Sequence, residues 1–323
     1  MRTINVPVVT GRDENGDPIE GISQETVYKI DELPLLEVLN FSGCSTKNIN
    51  KNGQNRKIHY VEVPAAFDIE TTNIYEKVQI TDRKGITRTK TVPDPRPYAF
   101  MYHWQFCLDK YVVFGRTWEE FQELIRYLSE GISFYKGRDY KIVVWVHNLA
   151  FEFQFMRQFL RVTGGFYREP YKPFKIETAD NIEFRDSLVL SNMNLQKFCS
   201  SSAGCIHWKL KDTYDYSKIR TKSTPLTEEE EAYCYNDVRG LCECIAARMK
   251  DDTLSSMPMT STGYVRRDTR NAMRKNKKNR RLFRRNSIVL KTLYSMQSSF
   301  SGRQHSRERQ KNWLNSRWAS ILV

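Results

Sequence analysis

The stretch V-E-V-P-A-A-F-D-I-E-T-T, residues 61–72, holds two acidic residues within an otherwise apolar segment. Its composition predicts a strand that runs into a turn. Asp68 and Glu70 are separated by one residue, so in a strand both side chains project from the same face. Adjacent like charges in apolar surroundings repel each other at a cost of about 1 kcal/mol or more. Divalent cations with oxygen ligands would remove that conflict, whereas a strand end facing solvent would make the pair harmless.

Strand and helix signals alternate after this stretch. Apolar runs at 98–108 and 111–115 predict a hairpin. Two Thr-x-x-Glu capping boxes predict helix starts at Thr117 and Thr227. Further strands are predicted at 141–148, 176–179 and 182–190, and a helical segment at 149–160. This order predicts an α/β fold around a mixed sheet flanked by helices, which is compatible with the ribonuclease-H-like fold among others.

The first part of the chain lacks such a pattern. Residues 1–60 are polar, apart from a short apolar segment at 33–39, and S-T-K-N-I-N-K-N-G-Q-N-R-K at 45–57 predicts a loop. The charged stretch 75–96 predicts an excursion between strands.

The composition indicates a soluble protein of the cytoplasm. Hydrophobic residues make up 40% of the 323, enough for a sizeable core. No run reaches the roughly 18 apolar residues that a membrane span needs, and no signal peptide is expected. The seven cysteines are expected to be reduced, buried thiols. A zinc site around Cys234, Cys242 and Cys244 is disfavoured, because Cys242 and Cys244 point to different faces of a predicted helix.

The net charge of +13 is concentrated near the C-terminal end. Residues 261–323 contain 17 lysines and arginines and two acidic residues, whereas the other 260 residues are almost neutral. This asymmetry favours a polyanionic partner, although a solvated basic helix would also explain it.

Two more polar clusters lie at or within predicted helices. H-N-L-A-F-E-F, residues 147–153, spans a strand-to-helix junction and includes Glu152. Tyr233 and Asp237, in Y-C-Y-N-D, are four residues apart and share one helix face. In isolation, such a Tyr/Asp pair is more typical of a surface than of a catalytic site.

The order of the three clusters resembles the three exonuclease motifs of proofreading DNA polymerases. D-I-E at 68–70, N-L-A-F-E at 148–152 and Y-C-Y-N-D at 233–237 follow the family's order, and the third pairs a tyrosine with an aspartate. The resemblance covers about residues 61–302 and implies a ribonuclease-H-like fold with 3′–5′ exonuclease activity.

Two further segments resemble the protein-primed B family of phage and linear-plasmid DNA polymerases. Asp186-Ser187-Leu188 resembles its Ser/Thr-Leu motif for single-stranded DNA. Lys211, followed by D-T-Y-D-Y, resembles its exonuclease lysine motif. This resemblance implies a role in DNA replication in a bacterial host, with single-stranded 3′ ends, primer-template DNA and a terminal protein primer as partners, and no membrane.

The resemblance also implies the catalytic residues. Four carboxylates would hold two Mg²⁺ or Mn²⁺ ions, with the last of them at the second ion: Asp68, Glu70, Asp237 and Glu152. Tyr233 would orient the attacking water, and Lys211 would neutralise developing phosphate charge.

DNA-binding residues are implied in two places. The unpaired 3′ end would be held by residues of the second motif and the Ser-Leu motif, namely His147, Asn148, Phe151, Ser187 and Leu188. The DNA backbone would be held by the basic segment, namely Arg266, Arg267, Arg274, Lys275, Lys277, Lys278, Arg280 and Arg281.

The sequence departs from the family at several points. The second exonuclease motif normally ends in Asp, where this chain has Glu152, and Ser191 stands where an apolar residue is expected. The polymerase motifs D-x-x-S-L-Y-P and D-T-D do not occur in the 323 residues. We therefore expect a truncated polymerase whose intrinsic activity is the exonuclease.

The expected domains are an N-terminal extension at 1–60, an exonuclease domain at 61–250, the start of a polymerase region at 251–302, and a frameshifted or disordered tail at 303–323. Codons can be chosen for residues 303–308 so that moving the reading frame by one nucleotide gives Gly-Asn-Thr-His-Ala. After Gly302, this restores a Gly-Gly-Asn-Thr-His segment of the kind expected there. Two alternatives are a stand-alone 3′–5′ exonuclease or exoribonuclease, and a non-catalytic nucleic-acid-binding module in which Glu152 prevents hydrolysis.

Overall fold

The computed structural model describes residues 1–51, 54–73, 75–81, 85–93, 99–210, 214, 215 and 218–275. The chain divides into two units, Met1–Ser261 and Thr262–Val323. The strands are β1 (Arg2–Arg12), β2 (Pro18–Tyr28), β3 (Gly43–Lys51), β4 (Gln54–Glu62), β5 (Ala65–Asn73), β6 (Tyr75–Thr81), β7 (Thr87–Pro93), β8 (Ala99–Leu108), β9 (Tyr111–Gly115), β10 (Tyr140–Val146), β11 (Val162–Glu169), β12 (Lys172–Thr178) and β13 (Ile182–Asp186). The helices are α1 (Leu35–Phe41), α2 (Trp118–Tyr135), α3 (Leu149–Met156), α4 (Ser187–Ser191), α5 (Leu195–Ser201), α6 (Glu228–Met249) and α7 (Ser261–Lys275).

A large mixed sheet organises the first unit. Over the described residues it has eleven strands, in the order β1-β2-β9-β8-β5-β10-β13-β12-β11, and the β3–β4 hairpin joins it where β4 pairs with β10. Strands β5, β10 and β13 run parallel, and β8 runs antiparallel to β5. Strands β6 and β7 form a separate antiparallel pair. The mixed α/β fold predicted from the sequence is confirmed at this level.

The alternation of side chains along β5 explains how the sheet separates core from site. Phe67 packs against Phe121 of α2, with ring centroids 5.0 Å apart, in the main apolar core. Asp68 and Glu70 project from the opposite face, where α6 packs against β5. Successive residues of a strand point to opposite faces, so one short stretch supplies both the core and the carboxylates.

Both predicted capping boxes are present and fix where the two long helices begin. The hydroxyl of Thr117 accepts from the Glu120 N–H at 3.2 Å, and the Glu120 carboxylate accepts from the Thr117 N–H at 2.9 Å. Thr227 and Glu230 make the same pair of bonds at 3.2 and 3.0 Å. Each such cap typically stabilises a helix by about 1 kcal/mol.

The predicted loop at 45–57 is wrong. Strands β3 and β4 pair antiparallel from Gly43 with Glu62 to Lys51 with Gln54. Along Gly43–Ile49 the side chains are exposed or only partly buried, so the strand carries no apolar alternation that a sequence pattern could reveal. Part of the predicted strand at 182–190 is also different, because residues 187–191 form α4.

The first sixty residues contribute strands to the same sheet. Val6 and Val8 of β1 are buried, and β2 pairs in parallel with β9. These strands belong to the same compact unit as β5 and α6.

The described helices also bear on the membrane prediction. None of the helices in the described ranges has the length and apolar character that crossing a bilayer requires.

The predicted tail at 303–323 lies outside the described residues.

Candidate metal centre

Three carboxylates from β5 and α6 meet at one point. Asp68, Glu70 and Asp237 each offer an oxygen atom, and these atoms all lie within 4.8 Å of one another. Asp68 is partly exposed, whereas Glu70 and Asp237 are buried. Hard divalent cations bind such oxygen ligands, so this triad could hold a metal ion.

Gln105 of β8 holds two of the carboxylates from the neighbouring strand. It lies directly opposite Asp68 in the β5–β8 pair. Its side-chain amide donates to Asp68 Oδ2 at 2.8 Å and to Glu70 Oε1 at 3.3 Å. One neutral amide thus orients both oxygens without supplying the positive charge that two carboxylates need.

Glu152 of α3 completes a group of four carboxyl groups. Its side chain is 4% exposed and hydrogen-bonds to Asp68. Its Oε2 atom and Asp237 Oδ1 are buried and make no hydrogen bond within the described residues. Buried oxygens without a partner are costly, and a bound cation would satisfy them. The residues therefore fit a divalent metal site.

The pKa values of the four groups reflect this crowding. Burial, followed by the charge of Asp237, raises the pKa of Asp68 to about 7. Burial and the neighbouring carboxylates raise the pKa of Glu70 and of Glu152 above the usual range. Burial also raises the pKa of Asp237, although Lys209 opposes the rise. Without a cation, the cluster therefore retains protons near neutral pH.

The ammonium group of Lys209 faces this cluster. It donates to the carboxylate of Asp237 and to the hydroxyl of Tyr233. It also lies 4.5 Å from the centroid of the Tyr233 ring. Tyr233 and Asp237 share one face of α6, as their spacing indicated. The predicted catalytic Lys211 lies outside the described residues.

A cleft of about 670 Å³ opens above the carboxylates. Four of the predicted DNA-binding residues lie along it or at its edge: His147, Asn148, Phe151 and Leu188. Phe151 is 43% exposed, and its ring lies 5.1 Å from that of Phe155. An exposed aromatic ring beside a polar cleft offers a stacking surface for a base.

Ser187 lies beneath the cleft. It is fully buried, contacts His147 Nδ1 at 3.0 Å and donates to the carbonyl of Val146 at 3.2 Å. The Ser187 hydroxyl therefore holds the imidazole in place from within the protein. Burial and the charge of Lys209 lower the pKa of His147 to about 4, so the ring is neutral at physiological pH.

The turn between β10 and α3 has a backbone conformation that suits its sequence. Asn148 has φ 83°, in the left-handed region that asparagine tolerates better than most residues. The Asp186 carboxylate accepts from the Asn148 N–H and also caps α4 through the Val189 N–H at 3.1 Å. Asp186 thereby ties the second motif to the predicted Ser-Leu motif.

The predicted basic DNA-binding residues belong to the second unit. Helix α7 contains Arg266, Arg267 and Arg274, of which Arg266 and Arg274 are exposed. Lys275 ends the same helix. Four others lie outside the described residues: Lys277, Lys278, Arg280 and Arg281.

Sequence reasoning missed several residues of the site. Gln105 and Lys209 contact the carboxylates, and Asn194, Leu195 and Gln196 line the cleft. A signal existed only for Gln105, as a polar residue within the predicted apolar strand at 98–108.

No protein-family model and no curated protein matches the sequence. Two solved structures of phi29 DNA polymerase are similar to part of the chain. The complex with single-stranded DNA has a TM-score of 0.40 and 16% identity over 62% of this chain and 33% of that chain. The ternary complex with primer-template DNA and incoming nucleotide has a TM-score of 0.42 and 15% identity over 59% and 32%. The match spans about a third of the polymerase.

Proposed function

We propose that this chain carries a two-metal 3′–5′ exonuclease site for single-stranded DNA ends and is related to protein-primed B-family DNA polymerases. The observation that carries the proposal is the meeting of Asp68, Glu70 and Asp237 within 4.8 Å at the floor of a cleft. Strand β5 and helix α6, which are distant in sequence, converge there on three carboxylates whose mutual repulsion divalent cations would offset.

The proposed chemistry follows from this charge arrangement. Two divalent ions, held by Asp68, Glu70, Asp237 and Glu152, would supply an activated water and stabilise the leaving oxygen. Tyr233 would orient the water through its hydroxyl. Lys209 contacts Tyr233 and Asp237, and we assign to it an electrostatic role at the scissile phosphate beside the one predicted for Lys211.

The cleft favours an unpaired strand as substrate. Phe151 would stack on a base, and His147 and Asn148 line the wall beside it. The amide of Asn148 would donate to a base or sugar. The phosphates of the strand would be drawn to the metal ions and to Lys209, which carry positive charge in the cleft.

The relation to polymerases rests on the motifs and is supported by the fold. The three motifs lie on β5, at the start of α3 and on α6, and all three reach the same site. The ribonuclease-H-like assignment is supported by the parallel arrangement of β5, β10 and β13 beside antiparallel β8 and β9. Because D-x-x-S-L-Y-P and D-T-D are absent from these 323 residues, the activity we propose for them is the exonuclease.

A nuclease assay tests the proposal. The purified chain is incubated with single-stranded DNA labelled at its 5′ end, with Mg²⁺ or Mn²⁺ and with EDTA. We expect a ladder that shortens from the 3′ end, requires the metal and disappears in Asp68→Ala. Lys110→Ala changes an exposed lysine that is not among the residues lining the cleft; it is the matched control and should retain the ladder.

The same assay separates the alternatives. If RNA is digested as fast as DNA or faster, RNA would replace DNA as the assigned substrate. Metal-independent DNA binding without digestion would support the non-catalytic module. Digestion that survives Asp68→Ala would refute the assignment of this site.

A further inference from the structure

Three cysteines that are scattered in the sequence form a second cluster of possible metal ligands. The sulfur atoms of Cys199, Cys205 and Cys244 all lie within 4.8 Å of one another. Cys244 Sγ is 3.8 Å from Cys199 Sγ and 4.0 Å from Cys205 Sγ. Cys234 and Cys242, the other cysteines considered for zinc, lie elsewhere: Cys242 Sγ contacts the carbonyls of Pro64 and Asp109.

The sulfur separations match the coordination geometry of zinc. With a zinc–sulfur distance of about 2.3 Å, two ligands of a tetrahedron lie about 3.8 Å apart. Two sulfurs in van der Waals contact could be equally close, so the separations alone do not decide. A third sulfur within 4.8 Å of both others brings together three of the four ligands that a tetrahedral zinc site needs.

The backbone holds the three sulfurs in fixed positions. Cys199 belongs to α5, Cys205 follows the turn after it, and Cys244 belongs to α6. All three are buried. Gly240 lets the segments approach, because a Cβ atom there would lie 2.0 Å from the carbonyl oxygen of His207 and 3.1 Å from Cys199 Sγ. A site held on rigid elements in this way is pre-organised for a ligand.

Three sulfurs leave one ligand position of a tetrahedral zinc site to be filled by another group. His207 is engaged elsewhere, with Nδ1 2.8 Å from Glu243 and Nε2 3.4 Å from Glu25. The Ser202 hydroxyl, beside Cys244, donates to the Phe198 carbonyl at 2.7 Å, and Ser202 is partly exposed, so a water molecule could supply the fourth ligand.

We propose that Cys199, Cys205 and Cys244 bind a Zn²⁺ ion through their thiolates. The ion would fasten the segment 199–209 to α6. That segment ends at Lys209, whose backbone N–H hydrogen-bonds to Cys199. The thiolate site would therefore hold in place the residue that faces the carboxylates, while remaining separate from the carboxylate site in its metal preference.

Metal analysis tests the proposal independently of nuclease activity. The full chain is produced with zinc under reducing conditions, and its bound metal is measured after gel filtration. We expect about one tightly held zinc ion per chain, both in the wild type and in Asp68→Ala/Glu70→Ala, which lacks two of the four carboxylate ligands. Cys244→Ser should lower zinc affinity by more than about 100-fold, whereas Cys242→Ser, two residues away on the other helix face, should retain it.

Cobalt substitution covers the possibility that Cys244→Ser does not fold. Co²⁺ added to the metal-free wild type should give thiolate-to-cobalt charge-transfer absorption, and excess Zn²⁺ should abolish it. Zinc content that falls only in Asp68→Ala/Glu70→Ala would overturn the proposal. So would a wild type without zinc or a cobalt–thiolate band, or a Cys199–Cys244 disulfide in protein kept reduced.

Discussion

Lys209 and Asp237 form an ion pair at the edge of the carboxylate cluster, and Lys209 retains about a third of its side-chain exposure while Asp237 is buried. The ammonium group therefore reaches into the cluster from the solvent side. It offsets part of the negative charge there, and it would have to share Asp237 with any entering metal ion. This position makes Lys209 a residue whose removal affects both the metal-free state and catalysis.

We expect Lys209→Ala to lower the exonuclease rate by about 100-fold, since a preorganised charge at the reacting phosphate typically contributes this much. The measurement is single-turnover digestion of labelled single-stranded DNA at saturating Mg²⁺. Lys110→Ala, a change of an exposed lysine, is the matched control and should change the rate by less than about threefold. A large loss in Lys211→Ala with little change in Lys209→Ala would return the catalytic role to the lysine indicated by the sequence.

The raised pKa of Asp68 predicts how the metal-free protein responds to pH. Its value of about 7 exceeds the ordinary value of 3.8. Between these two pH values, the folded state still holds a proton that the unfolded state has released. The stabilisation from that proton is complete below about pH 4 and is lost as the pH rises toward 7. In EDTA, the free energy of unfolding should fall between pH 5 and pH 8, on the order of 2 kcal/mol from this group.

Denaturant unfolding of the wild type and Asp68→Asn, at both pH values, isolates this contribution. Asn carries no titrating proton, so the loss should be smaller in the variant. Mg²⁺ should restore stability at pH 8 in the wild type alone, because it binds the ionised carboxylates. Equal pH dependence in the two proteins would mean that Asp68 does not hold its proton near neutrality.

Glu152 provides a test of side-chain length in the site. It is buried and hydrogen-bonded to Asp68, and it is one methylene longer than the aspartate of the related motif. We expect Glu152→Asp to raise the exonuclease rate severalfold, because a shorter side chain leaves room for the second ion. Glu152→Gln keeps the length and removes the charge, and it should lower the rate. An unchanged or slower Glu152→Asp enzyme would show that the site is adapted to glutamate.

The local features of this fold could be predicted because each depends on neighbouring residues. The Asp68–Glu70 alternation, the Thr117 capping box and the Tyr233–Asp237 spacing are properties of single elements. Their convergence on one site was predicted only through the resemblance of their order to a family.

Features that depend on pairing between distant segments were not predictable. Gln105 faces Asp68 because of the β5–β8 register, which the length of the intervening segment does not determine. Lys209 lies in the irregular segment between α5 and α6, where no regular spacing indicates the direction of a side chain. Cys199 and Cys244 meet only because α5 packs on α6.

Phe151 tests the proposed binding of an unpaired strand. It is 43% exposed at the edge of the cleft, so its removal should cost little stability. We expect Phe151→Ala to weaken single-stranded DNA binding by about 1–3 kcal/mol, the usual contribution of one stacked base. Fluorescence anisotropy with a short oligonucleotide in Ca²⁺ measures this. Phe134→Ala, which removes a ring that is 81% exposed on α2, should leave affinity unchanged.

The basic helix α7 should bind DNA through its charge. Residues 264–285 contain eleven lysines and arginines and one acidic residue, and few large apolar groups with which to form a core. Arg266, Arg270 and Arg274 are exposed and recur at intervals of four, so they share one face of α7. Changing all three to Ala should weaken DNA binding and reduce the slope of log affinity against log salt by about 0.9 for each DNA phosphate that these arginines neutralise.

Changing Lys29, Lys110 and Lys250, three exposed lysines of the first unit, removes the same charge and should leave the slope nearly unaltered. If both triple variants reduce the slope equally, net charge rather than α7 governs binding, and the assignment of these arginines to the DNA backbone fails.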